Sequence, residues 1–280
     1  MHQIINDILD STNKRLPHHD NIKKAKITSR DFKESIKSRK NQNLIPVIAE
    51  VKPSSPTRFI RDITPHDAAE IAKQMEAADA AAISVLTEPQ FFKGSIHNLN
   101  SVRGAVGIPV LRKDFIIDRT QIYEAQSDLI LLIAGILGSS LDDFVNEALA
   151  SGRQPLVEVH NELELENALA TRANIIGINN RDLTTMKVNI STTEELAPLI
   201  SGRIIVSESG ISSPEDAVRM LDAGADAILV GTSIMLGNVY EKTYELVHAL
   251  DKTKPQMNAD LLHLVFMVFI GIYDINRKKL

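Results

Sequence analysis

Glu50 and Lys52 stand two residues apart at the end of an apolar run, Leu44-Ile45-Pro46-Val47-Ile48-Ala49-Glu50-Val51-Lys52, which is followed by Pro53 and Pro56. Residues i and i+2 of a strand share a face, so carboxylate and ammonium point the same way from its C-terminal end. An exposed pair of this kind is common and weak. Here the arrangement recurs: Lys113, Glu158, Asn179 with Arg181, Glu208, and Gly231 with Thr232 each follow a comparable run. Two lysines and three glutamates converging on one place can push their pKa values apart, as proton transfer at neutral pH requires. A structural ion-pair network uses the same residue types, so both readings stay open. The last two run ends, Ser209-Gly210-Ile211 and Val230-Gly231-Thr232-Ser233, carry a different chemistry. Glycines there let backbone N–H groups approach an anion, which predicts a phosphate site.

Positioning such residues takes a regular scaffold. Short apolar runs at 47–51, 81–86, 110–112, 129–133, 156–159, 175–178, 204–207 and 227–230 alternate with helical patterns. This is the signature of βα units around a parallel sheet. Every second run is entered through a small or polar residue plus Asp or Asn, at Ala78-Asp79, Ser127-Asp128, Ala173-Asn174 and Ala225-Asp226, spaced by 49, 46 and 52 residues. The intervening runs follow Gly-led turns at Gly107, Gly152 and Gly202. A two-unit period over eight units predicts an α/β fold, a single (β/α)8 barrel. The rival open sheet would carry G-x-G-x-x-G after its first strand, and none is present. Barrel active sites lie at the C-terminal strand ends, where the residues above are found. Thr64-Pro65 and Ser213-Pro214-Glu215-Asp216 are helix starts. Residues 1–43 read as a helical extension, with Ile4, Ile5, Ile8 and Leu9 in one stripe and Phe32 and Ile36 in another. The barrel spans 44–250 and a tail follows at 251–280.

Composition narrows the function. A net charge of −5 with scattered Lys and Arg argues against nucleic acid as a partner. With no cysteine there is no disulfide framework and no thiolate site, which suits a reducing compartment. The eight histidines show no metal-ligand spacing, so no metal is expected. The first residues lack a secretory apolar core, and a cytoplasmic location is expected. The apolar stretch 261–273 is shorter than the ~17–25 residues that span a bilayer, so it is expected to dock on the barrel's outer helices or a second subunit, with membrane-surface attachment next.

Six ordered blocks resemble the indole-3-glycerol phosphate synthase family from about Leu44 to Leu250. They are Ala49-Glu50-Val51-Lys52 with Ser55-Pro56, Val85-Leu86-Thr87-Glu88 with Phe92-Lys93-Gly94-Ser95, and Pro109-Val110-Leu111-Arg112-Lys113-Asp114-Phe115. Leu156-Val157-Glu158-Val159-His160, Ile176-Gly177-Ile178-Asn179-Asn180-Arg181-Asp182-Leu183 and Val206-Ser207-Glu208-Ser209-Gly210-Ile211 complete the set.

The resemblance implies that 1-(2-carboxyphenylamino)-1-deoxyribulose 5-phosphate closes to an indole, losing carbon dioxide and water, without a cofactor. By the same analogy Lys113, facing Glu158, is the general acid at the ketone. Glu158 helps at ring closure, and Asn179 holds the reacting part. Glu50 and Lys52 serve dehydration, and Glu208 sits near the anilino nitrogen. Arg181 holds the carboxylate side, and Phe92 and Phe115 line the aromatic pocket. The phosphate falls to Ser209, Gly210, Gly231 and Thr232, with Lys52 and Ser55. A monomer or weak homo-oligomer is expected, with other enzymes of the pathway as candidate partners.

Three features depart from the family pattern: Pro53 with Thr57-Arg58-Phe59, a short connection from Gln121 to Asp128, and the tail. Phosphoribosylanthranilate isomerase, a related barrel, is the alternative enzyme, but it resembles a Cys/Asp acid-base catalyst and this chain has no cysteine. A non-catalytic sugar-phosphate-binding barrel is the other alternative. It would keep the glycines and lose Lys113 or Glu158.

Overall fold

The computed structural model describes residues 1–16 and 24–251. Eight parallel strands form the closed barrel: β1 (Val47–Val51), β2 (Ala82–Leu86), β3 (Val110–Lys113), β4 (Leu129–Ile133), β5 (Gln154–Val159), β6 (Ile175–Asn179), β7 (Ile204–Glu208) and β8 (Ala227–Val230). Each pairs with the next in sequence, and β8 returns to β1 with Ile228 opposite Val47. Nearly every strand residue is buried, because helices cover the outer face and side chains fill the interior. The expected runs match these strands to within one or two residues, with one useful difference at the C-terminal ends. Lys113, Asn179 and Glu208 are the last residues of their strands, still in register with Leu86, Glu208 and Asn179 respectively. Their backbones are therefore held by the barrel ladder.

Two of the four recurring Asp or Asn positions share a structural role. Asp128 accepts the backbone N–H of Val110 at 2.9 Å, and Asp226 accepts that of Ile205 at 3.0 Å. Each side chain caps a neighbouring strand at the barrel's N-terminal face, where residues serve stability. Asp128 also accepts the Arg30 backbone N–H at 3.1 Å and pairs with the Arg103 guanidinium at 3.2 Å. Its side chain is fully buried. Asp128→Ala strands those donors, and we expect a loss of about 3–5 kcal/mol, read as a lower urea midpoint at unchanged m-value.

Two helix starts behave as expected. Thr64 and Ser213 each cap their helix, Pro65–Ala77 and Pro214–Asp222, through a full capping box with Asp67 and Asp216. The connection after β3 holds only a five-residue helix, Thr120–Glu124, in keeping with its short sequence.

The N-terminal extension takes up both ends of the barrel. Helix α1 (Gln3–Lys14) lies at the C-terminal mouth: His2 N–H donates to the Leu183 carbonyl, Ser11 donates to Gln90 at 2.6 Å, and Arg15 pairs with Asp114 at 2.7 Å. Helix α2 (Phe32–Lys40) lies at the opposite end, where Phe32 N–H donates to Gln154, Ser35 to the Ala81 carbonyl, and Lys40 pairs with Asp226. Ile5 and Ile8 of α1 and Phe32 and Ile36 of α2 join one apolar cluster with interior residues such as Ile48, Leu111 and Leu131. The two stripes thus dock at opposite ends of the same core.

Pro53 and Pro56 end β1 as expected, but the chain then turns back as a small antiparallel hairpin, Ser54–Ser55 against Arg58–Phe59. The Pro53 carbonyl accepts N–H groups from Ile60 and Arg61, tying the loop to its own start. Among the described residues no helix is long and apolar enough to cross a membrane. The tail reading for 261–273 lies outside the described residues.

Candidate active site

Barrel interiors stack in layers of four side chains drawn from alternate strands. The topmost layer here is ionic and comes from the odd strands: Glu50 of β1, Lys113 of β3, Glu158 of β5 and Glu208 of β7. Lys113 Nζ lies 2.8 Å from Glu208 Oε2 and 3.5 Å from Glu50 Oε2. Lys52 Nζ lies 3.3 Å from Glu50 Oε1, which bears out the shared face of the two residues. Asn179 Nδ2 donates to Glu158 Oε1 at 3.0 Å. Ser84 of β2 approaches Glu50 at 3.4 Å. Lys113 and Glu158 act on each other across this layer, while the ammonium hydrogen-bonds Glu208, whose side chain is not among those lining the cavity.

Glycines make room for these carboxylates. A Cβ on Gly231 would lie 2.4 Å from Glu50 Oε1, and one on Gly177 of β6 would lie 2.4 Å from Glu208 Oε1. Gly231 has φ −123°, open to any residue, so its lack of a side chain is what matters. Gly210 differs, since φ is +83° and the preceding Ser209 is also left-handed at +68°.

Burial opposes ionisation of Glu50, but Lys52 and Lys113 outweigh it and hold the carboxyl below its usual range. Burial likewise opposes the charge on Lys113, yet Glu208, Glu50 and Glu158 together raise its pKa. The ammonium stays charged. Glu158 is opposed by burial and favoured by His160, Lys113 and Asn179, and it falls to about 2. Glu208 is pushed up to about 7, first by burial, with Glu158 and Glu50 adding to it while Lys113 pulls it back. Three carboxylates share two ammoniums here, and Glu208 is the one with an oxygen, Oε1, buried without a hydrogen-bond partner. The layer therefore combines a charged acid, two ionised carboxylates and one carboxyl near neutrality, as acid-base chemistry requires.

Of the residues expected from sequence, Glu50, Lys52, Ser55, Phe92, Lys113, Phe115, Glu158, Asn179, Arg181, Ser209 and Thr232 line one cavity. Gly210 and Gly231 adjoin it. The Phe92 and Phe115 rings lie 6.2 Å apart at 38°. Buried Glu88 accepts N–H groups from Gln90, Phe91 and Phe92 and so fixes the Phe92 loop. Asp114 accepts from Thr87 at 2.6 Å and pairs with fully buried Arg112 at 3.1 Å, making these strand-end residues structural supports. Asn180 and Ser207 do the same on the other side through Thr193. Arg181 donates to the Met186 carbonyl at 2.9 Å, which anchors the loop after β6 over the cavity.

Sequence reasoning missed Ile5, Leu131, Ile133, Leu183 and Met186 among the lining residues. Ile5 comes from α1, and its apolar stripe signals docking without saying where. Leu131 and Ile133 alternate inward along β4, a strand with no titratable end, and that period could have marked them.

The family model for indole-3-glycerol phosphate synthase matches residues 4–246. Among curated relatives, the indole-3-glycerol phosphate synthase of Halobacterium salinarum is 43% identical over 248 residues, covering 88% of this chain and 96% of the relative. That of Caldanaerobacter subterraneus is 47% identical over 210 residues, covering 73% and 80%. Among solved structures, 3-hexulose-6-phosphate synthase from Salmonella typhimurium superposes with a TM-score of 0.60 at 13% identity, covering 74% of this chain and 98% of that one, a likeness of fold alone. With the ionic layer in place and the family pattern running through both α1 and all eight strands, this chain belongs to the indole-3-glycerol phosphate synthase family.

Proposed function

We propose that the cavity closes 1-(2-carboxyphenylamino)-1-deoxyribulose 5-phosphate to indole-3-glycerol phosphate, as a carboxy-lyase. The observation that carries this reading is the Lys113 ammonium, held between Glu208 and Glu50 at the strand ends, open to the cavity and flanked by an aromatic wall. As the ring carbon bearing the carboxylate attacks the ketone, Lys113 gives a proton to the developing alkoxide. A carbon–carbon bond forms and the ring becomes cationic. Glu158, held ionised, faces that charge while Asn179 fixes the carboxylate. The carbon–carboxylate bond then breaks, and its electron pair restores the aromatic ring.

Dehydration follows at Lys52 and Glu50. The hydroxyl takes a proton and leaves as water, and the carbon next to nitrogen loses one. Arg181 takes the substrate's carboxylate side, and Phe92 and Phe115 take its ring. Ser209, Gly210, Gly231 and Thr232 take the phosphate, with Ser55 and Lys52 at its near edge. Every group in this scheme belongs to one chain, which supports activity in a monomer or a loosely associated oligomer. A doubly charged phosphate ester does not cross membranes unaided, which supports a cytoplasmic site of action.

The test mixes purified protein with this substrate in buffer treated with chelator and follows indole fluorescence. Indole formation with matching carbon dioxide release is expected. Folded protein that leaves the substrate intact, or that isomerises phosphoribosylanthranilate instead, would overturn the reading.

A further inference from the structure

One ionisable group at the mouth has no part in the steps above. His160 follows β5, and its side chain is only 6% exposed. Both ring nitrogens face carboxylates. Nδ1 lies 2.8 Å from Glu164 Oε2, and Nε2, buried and without an aligned hydrogen-bond partner, lies 3.3 Å from Glu158 Oε1.

Glu164 is built into this position from several sides. It lies on the helix Glu162–Leu169, capped by Asn161, and accepts the His160 backbone N–H at 3.0 Å and the Asn161 side-chain amide at 3.1 Å. A Cβ on Gly135, just beyond β4, would lie 2.5 Å from Glu164 Oε1, so the bare backbone of that segment admits the carboxylate. The absence of a titratable group at the end of β4 thereby acquires a reason.

We propose that His160, braced by Glu164, is a positioning residue that holds Glu158 ionised and aimed into the cavity. This rests on the reaction proposed above, in which Glu158 must be anionic to face the cationic ring. The placement of charge agrees: Lys52 and Lys113 lie against Glu50 and Glu208, and the imidazolium is the cation set between Glu158 and Glu164. Burial works against that charge, but Glu158 and Glu164 raise the His160 pKa to about 10, so the ring is protonated throughout the physiological range. The other groups around Glu158 are Lys113 of β3, Asn179 of β6 and Glu208 of β7. Around His160, Asp182 and Lys187 of the loop after β6 share an outer cavity with Glu164.

With His160 present, Glu158 ionises well below neutrality. Without it, only Lys113 and Asn179 are left to oppose burial and the Glu158 pKa rises, so activity is lost on the acid side and returns as pH increases.

The experiment measures kcat against pH from 5 to 9.5 for the full chain and for His160→Gln and Glu164→Gln. The wild type should show no acid limb assignable to Glu158. His160→Gln should show a new limb, falling about tenfold per pH unit below it and approaching the wild-type rate at the alkaline end, with KM within about threefold. Glu164→Gln should show the same limb displaced less. A wild-type protein that does not turn the substrate over refutes the reaction itself. Turnover by the wild type, with a His160→Gln profile that is unchanged or lowered by one factor at every pH, refutes the positioning role. If His160→Gln loses its cooperative thermal transition, Glu164→Gln decides: an unshifted profile there overturns the proposal.

Discussion

Lys113→Ala should lower kcat on the order of 10²-fold or more while leaving KM within a few fold, because the removed group acts on a charge that exists only as the ring closes. The same substitution leaves Glu50, Glu158 and Glu208 with Lys52 as the remaining ammonium in the layer. Buried carboxylates in that state take up protons rather than repel one another. The variant should therefore bind additional protons on folding at neutral pH, detectable as a steeper fall of stability than the wild type's as pH rises between about 5 and 8. Paired kcat and thermal-unfolding measurements separate the two effects. Turnover within a few fold of wild type in a folded variant would remove Lys113 from the chemistry.

Gly231→Ala should be nearly as damaging, and for a reason the sequence does not contain. The Ser-Gly and Gly-Thr pairs at the ends of β7 and β8 predict a phosphate site, in which a larger residue at 231 raises KM. In the folded protein, however, the new methyl group would meet Glu50 Oε1 at 2.4 Å and its Cβ at 3.1 Å. Glu50 cannot retreat easily, since its carboxylate is pinned by Lys52 and Lys113. We expect kcat to fall on the order of 10²-fold along with any rise in KM. Steady-state kinetics check this directly: a variant with raised KM and wild-type kcat would mean that Gly231 serves the phosphate alone.

The barrel was legible because its strands are covered on both faces and read as apolar runs, and because turn chemistry recurs with each pair of units. The repeated Asp or Asn was visible too, although the job of Asp128 and Asp226 as side-chain caps for a neighbouring strand was not, since that depends on strand adjacency in space. Most of the cavity could be found by reading strand ends, where Lys113, Glu158 and Asn179 stand. Partner choice was the harder matter. Lys113 has three carboxylates within reach, and the one it hydrogen-bonds, Glu208, occupies the space left by Gly177. The course of the extension was equally hidden: the stripes of α1 and α2 say that each helix docks, while contacts such as Arg15 with Asp114 and Lys40 with Asp226 decide at which end. His160 stood among the strand-end residues, and Glu164 four residues on was the unused clue to its role.

In the proposed reaction one cavity holds ketone, ring and phosphate at once, with the ketone at Lys113. Crystals of Lys113→Ala soaked with 1-(2-carboxyphenylamino)-1-deoxyribulose 5-phosphate test it most directly, because the variant should retain the substrate unreacted. The ketone oxygen is expected at the space vacated by the lysine, the ring against Phe92 and Phe115, and the phosphate at Ser209-Gly210 and Gly231-Thr232. A substrate bound with its phosphate away from the ends of β7 and β8, or with its ketone remote from position 113, would contradict this placement.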